Sequence, residues 1–140
     1  MQHWKKTLLK TCFRSCLVWA FLSAGQSSVA AADLHGWFGT WTKGDNKIRL
    51  SLRKGQIHAE GEAYYYPYKN SPSPNIGEFE GSSLPKHGRL TIRQHYNGEL
   101  VCEVIMVRSD NTLTVLNHDP NCGGHNVSFR GTYHRQGRHR

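Results

Sequence analysis

The chain has 140 residues, with 18 Lys and Arg against 10 Asp and Glu, 9 His, 4 Cys and a formal net charge of +8. That length holds one domain, and the basicity invites a nucleic-acid reading that its placement excludes. Four of the bases and none of the acids lie in residues 1–32 and three more bases lie in residues 135–140, which leaves 11 bases against 10 acids for residues 33–134.

Residues 1–32 have the three parts of a secretory signal peptide. Lys5, Lys6, Lys10 and Arg14 form the basic start, residues 17–24 the apolar centre and Ala30-Ala31-Ala32 the small-residue exit. The apolar run falls short of the roughly 20 residues a membrane span needs, and polar Gln26-Ser27-Ser28 follows it at once. Cleavage after Ala32 is expected, giving a mature chain from Asp33 that is periplasmic or secreted and not membrane-embedded. Cys12 and Cys16 depart with the signal, so Cys102 and Cys122 remain. Two cysteines in an exported chain read as a disulfide.

The mature segment opens with Trp37 and Trp41, which four-residue spacing in a strand would put on one face. Residues 43–46 are a turn by composition. Ile48, Leu50 and Leu52 then alternate with Arg49, Ser51 and Arg53, the pattern of a half-buried strand. Lys54-Gly55 supplies a hairpin turn into residues 56–66, where Ile57, Ala59, Gly61, Ala63 and Tyr65 share one face and His58, Glu60, Glu62, Tyr64 and Tyr66 the other. Three prolines mark residues 67–77 as a loop, because proline has no N–H for a ladder.

Residues 76–80 read as a short strand or edge and 81–88 as another loop. Leu90 and Ile92 begin a strand that meets Asn97-Gly98, a strong hairpin signal since both central residues of a type I′ turn need positive φ. Residues 100–108 are apolar on both faces except for Glu103, and Asp110-Asn111 turns the chain into residues 112–116. A loop over 117–124 precedes a closing strand that carries Phe129, Gly131 and Tyr133 inward. The sequence therefore predicts an all-β fold, a small antiparallel meander closing into a barrel of about eight strands with one disulfide. The barrel domain is 33–134, and residues 135–140 are read as a disordered basic tail.

Candidate sites are few. Tyr64, Tyr66 and Tyr68 adjoin the proline-rich loop and, with Trp37 and Trp41, form the expected binding surface, since aromatics give large amphipathic contact area at low entropic cost. Glu60/Glu62 and Glu78/Glu80 each fall on one strand face and read as a solvated outer surface. His118, Asp119, Cys122 and His125 are metal-ligating types within eight residues, but the disulfide removes the best ligand, so no metal and no cofactor is expected. No nucleophile elbow is present. These features favour a non-enzymatic module that binds a small ligand or a protein, with a metal-dependent enzyme using the 118–125 loop as the alternative.

Three resemblances accompany this reading. Gly39-Thr40-Trp41 ahead of a meander resembles the opening of the calycin barrels. The run from Ile76 to Gly81, then Cys102, then Cys122-Gly123-Gly124 with Asn126-Val127, Phe129, Gly131 and Tyr133, resembles a group of small exported bacterial proteins of uncharacterised function. That likeness covers most of the mature chain and implies a fold and a compartment. Trp41-Thr42-Lys43-Gly44 is similar to a segment that lies late in the periplasmic lysozyme inhibitors, whereas here it lies early; that likeness implies an inhibitor of a lysozyme.

Overall fold

The computed structural model describes residues 34–118 and 122–137. The signal segment and its cleavage point lie outside those residues. Eight strands follow in chain order: β1 Gly39–Lys43, β2 Asn46–Arg53, β3 Gln56–Tyr65, β4 Asn75–Ser83, β5 Arg89–Tyr96, β6 Glu99–Ser109, β7 Thr112–His118 and β8 Gly131–Arg135. All pair antiparallel in one sheet, in the order β4-β3-β2-β1-β8-β7-β6-β5. The first and last strands meet, with Trp41 opposite Arg135 and Thr42 opposite His134. No helix among the described residues is long and apolar enough to cross a membrane.

Turn chemistry sets this meander. Lys54 and Gly55 have φ of 50° and 76°, and Asn97 and Gly98 have 52° and 84°, the left-handed conformation that twists a two-residue turn to match its strands. Alternation then sends Ile48, Leu50, Ile57, Ala59, Ala63, Leu90, Ile92, Val104, Met106, Leu113 and Val115 to one buried face. Cys102 on β6 bonds to Cys122 in the segment before β8, tying the longest strand to the closing one.

Closure is incomplete between β4 and β5, which are consecutive in sequence but form no ladder with each other. Gly81 explains how near they come: a Cβ there would lie 2.7 Å from Ile92 Cγ2. The side chain of Ile92 meets the β4 backbone, so the strands pack across a seam instead of exchanging hydrogen bonds. The result is a nearly closed barrel with two edges side by side.

Several boundaries differ from the sequence reading. β4 continues three residues past Glu80, through Ser83, because Ile57, His58 and Ala59 on β3 offer partners to Ser83, Ser82 and Gly81. The closing strand begins only at Gly131; Val127 and Phe129 are buried from irregular chain ahead of it. Arg135, read as the start of a disordered tail, ends β8. Its guanidinium donates to Phe38 O and Gly36 O and lies 4.3 Å from the Trp41 ring centroid. Leu52 has the predicted inward parity but is exposed at the end of β2.

Candidate functional site

The two tryptophans of the expected binding surface are core residues. Trp37 precedes β1 in a turn closed by its N–H donating to Leu34 O, and Trp41 Nε1 donates to Trp37 O over 3.0 Å. Both are buried, so the structure corrects their assignment to the binding surface. In the segment carrying the lysozyme-inhibitor likeness, Trp41 is buried, Thr42 and Lys43 are half-buried and Gly44 is exposed. Lys43 Nζ donates to Arg130 O and sits 5.6 Å from the Tyr133 ring centroid.

The tyrosines do present surface. Outward parity on β3 places Tyr64 opposite Ile76 of β4, and its N–H donates to Asn46 Oδ1 at 2.9 Å. Asn46 is itself buried and donates to Ser128 O at 3.2 Å, so one side chain links β2, β3 and the segment before β8. The Tyr64 and Tyr66 rings stack with centroids 6.4 Å apart. Tyr66 is 44% exposed, Tyr68 64%, and Ile76 is exposed beside them. Desolvation raises the Tyr66 phenol above its ordinary pKa, with the Asp45 carboxylate adding a hydrogen bond and its charge. Tyr65 points the other way and packs on the core.

Beyond Tyr64 the same outer face carries three cross-strand rows. Lys47, Glu62 and Glu78 form the first, Arg49, Glu60 and Glu80 the second, and Ser51, His58 and Ser82 the third. Lys47 reaches Glu62 at 3.9 Å, Arg49 reaches Glu60 at 4.0 Å and Arg53 reaches Glu80 at 3.6 Å. A groove of about 380 Å³ follows the first two rows, with Gln94 of β5 on its wall. A second groove, of about 420 Å³, is lined by Arg53, His58, Glu80, Ser82 and again Gln94. Both therefore abut the seam.

His58 is the residue that parity alone misplaces. It has outward parity like Glu60 yet is only 3% exposed. Its Nδ1 lies 3.0 Å from Ser82 Oγ, and its Nε2 lies 3.3 Å from Glu60 Oε1 and 3.2 Å from Glu80 Oε1. Among the described residues, His58, Glu60 and Glu80 form the group whose ligand atoms are close enough to share one metal ion. The metal candidates read from sequence lie partly outside the described residues, Asp119 among them, and Cys122 is held in the disulfide. His125 is exposed, and the side chain of His118 lies outside the described residues. Glu103, the acid interrupting β6, accepts a 2.6 Å hydrogen bond from Arg93 Nε on the facing strand and is explained by that pair.

The barrel interior is filled. Trp41, Met106, Phe129 and Tyr133 are among its largest fully buried side chains, and the Phe79 ring packs edge-on against Phe129 at 4.8 Å between centroids. Gly61 on β3 makes room for the Phe79 ring. Compared with protein-family models, curated proteins and solved structures, the chain matches none of them.

Proposed function

We propose that this chain is a non-enzymatic, exported binding module that engages a protein partner through the outer face of β2, β3 and β4. The observation that carries the reading is the exposed cluster of Tyr66, Tyr68 and Ile76, joined to Tyr64 and bordering a groove of mixed charge. Tyrosines at the end of β3 and exposed in the segment that follows it give contact area with little side-chain ordering cost. The ion pairs Lys47–Glu62 and Arg49–Glu60 offer directional partners around them. The filled interior argues for a surface partner in preference to a small ligand inside the barrel. A disulfide fits an oxidising compartment, and with the signal-like residues 1–32 it supports export to the periplasm or beyond.

Replacing Tyr64, Tyr66 and Tyr68 together with serine tests the reading. Immobilised mature protein is compared with the triple variant for capture from the periplasmic or culture fluid of the native cell. The expected result is a stoichiometric protein retained by the wild type and lost by a variant whose thermal midpoint stays within a few degrees. Equal retention by both would move the site elsewhere, and an unfolded variant would make the tyrosines structural.

A further inference from the structure

We propose that His58, Glu60 and Glu80 form a binding site for a divalent first-row transition-metal ion, with Zn²⁺ the natural probe. Strand parity puts His58 and Glu60 on one face of β3, and the β3–β4 register sets Glu80 opposite Glu60 and Ser82 opposite His58. Three donors therefore converge from two strands whose backbones are fixed by a continuous ladder.

The geometry has the right dimensions. An ion with arms of about 2.0–2.1 Å to imidazole nitrogen and carboxylate oxygen defines a tetrahedron with edges of about 3.3–3.4 Å. His58 Nε2 stands 3.3 Å from one carboxylate oxygen and 3.2 Å from the other. All three ligand atoms lie within 4.8 Å of one another. A small inward turn of either exposed glutamate completes a three-ligand set that leaves a fourth position for water.

The imidazole supplies the second, independent indication. Its Nε2 is buried and, despite the short separations, makes no hydrogen bond to either carboxylate. A buried nitrogen without a partner is costly, and a lone pair aimed between two carboxylates is what a metal would use. Ser82 Oγ lies 3.0 Å from Nδ1 and orients the ring; in the tautomer that metal binding requires, it accepts the Nδ1 proton and Nε2 is the ligand. Imidazole with carboxylates suits Zn, Cu, Ni or Fe in preference to calcium or magnesium, which take all-oxygen sets.

Arg53 is the competing cation. Its guanidinium nitrogens lie 3.6 Å from Glu80 Oε1 and 3.9 Å from Glu60 Oε1, the same two oxygens that face His58. Its side chain is more than half exposed next to the Lys54–Gly55 turn, so it can leave as the ion arrives. Metal and Arg53 exclude each other, and removing the arginine charge should tighten metal binding.

The test uses tag-free mature protein with its disulfide intact, titrated with Zn²⁺ by calorimetry and checked by native mass spectrometry. The expected result is one ion per chain. His58→Ala and Glu80→Gln should each weaken binding at least tenfold, and Arg53→Gln should strengthen it. Glu80 is well exposed, so Glu80→Gln keeps the test decisive if His58→Ala does not fold. No binding to wild type and Arg53→Gln alike would overturn the proposal, leaving His58 as a structural neighbour of the glutamates. Binding that survives Glu80→Gln unchanged would also overturn it, by placing the ion at other histidines. Because this site and the tyrosine cluster use different residues, loss of one activity leaves the other measurable.

Discussion

Adding one methyl group at Gly61 tests the claim that the barrel interior is full. Gly61 lies directly opposite Phe79 across the β3–β4 ladder, and a Cβ built on it would fall 2.0 Å from Phe79 Cε1, 2.5 Å from Cδ1 and 2.6 Å from Cζ. Contact between carbons needs about 3.5–4.0 Å, so the ring would have to retreat by well over 1 Å. Phe129 stands edge-on behind it and is fully buried, which blocks a simple slide. Overpacking of this kind costs about 1–3 kcal/mol, and expelling the ring altogether approaches the 3–5 kcal/mol of a Phe→Ala truncation. Gly61→Ala should therefore destabilise the protein by about 2–4 kcal/mol in urea titration, with an unchanged m-value. Phe79→Leu in the same chain should recover part of that loss, giving a favourable coupling in the double-mutant cycle. If Gly61→Ala is neutral or stabilising, there is free volume beside Phe79 and the argument against an internal ligand fails.

Three further outcomes are expected. The Cys102–Cys122 bond closes a loop of 20 residues, so Cys102→Ser should cost about 3 kcal/mol, and intact mass should lie two hydrogens below the reduced value. Burial pushes the Tyr133 phenol from 10.0 to about 12, against a small opposing effect of the Asn46 side chain. A raised folded-state value means that the contribution is complete below pH 10 and disappears as pH rises to about 12. At 1.36 kcal/mol per pH unit that is on the order of 2–3 kcal/mol, and Tyr133→Phe should remove this alkaline loss while costing about 1 kcal/mol at neutral pH through the lost bond to Phe129 O. An alkaline transition of the same size in Tyr133→Phe would assign it to another group. N-terminal sequencing of the exported protein should read Asp33, Leu34, His35, and recovery of an uncleaved, membrane-bound chain would overturn the signal-peptide reading.

Turns and parity were legible because each is written in neighbouring residues. Asn97-Gly98 and Lys54-Gly55 demanded left-handed backbone, and Ile48, Leu50 and Ala59 declared their face by alternation with charge. The ends of β4 were not legible, since Gly81–Ser83 become strand only when β3 lies beside them. Trp37 and Trp41 were correctly grouped but wrongly exposed: aromatic content signals contact area, and local sequence does not say whether the contact is internal. Arg135 looked like a tail residue because its partners, Phe38 O, Gly36 O and the Trp41 ring, lie almost a hundred positions away. His58 shows the same limit. Outward parity was equated with solvent, whereas Ser82, Glu60 and Glu80 bury it once the pairing is set. A partial signal did exist, in two Glu-x-Glu patterns on strands joined by a single loop.

That pairing has an electrostatic consequence that sets β2–β4 apart from an ordinary outer surface. Glu60 faces Glu80 and Glu62 faces Glu78 directly across the ladder, and like charges in that position are destabilising. Arg49, Arg53 and Lys47 offset them only from exposed positions at 3.6–4.0 Å, where a pair contributes between nothing and about 1 kcal/mol. Alternating signs would have made a more stable strand pair at no cost to the core, because all four glutamates point away from it. Glu103 with Arg93 is such a pairing, and it joins β6 to β5 without lining either groove. The unfavourable arrangement is on β3 and β4, beside the grooves that Gln94 walls and the His58 nitrogen that lacks a hydrogen bond. A cation between Glu60 and Glu80 relieves both the repulsion and the orphaned nitrogen, which is the physical reason to place function on this face.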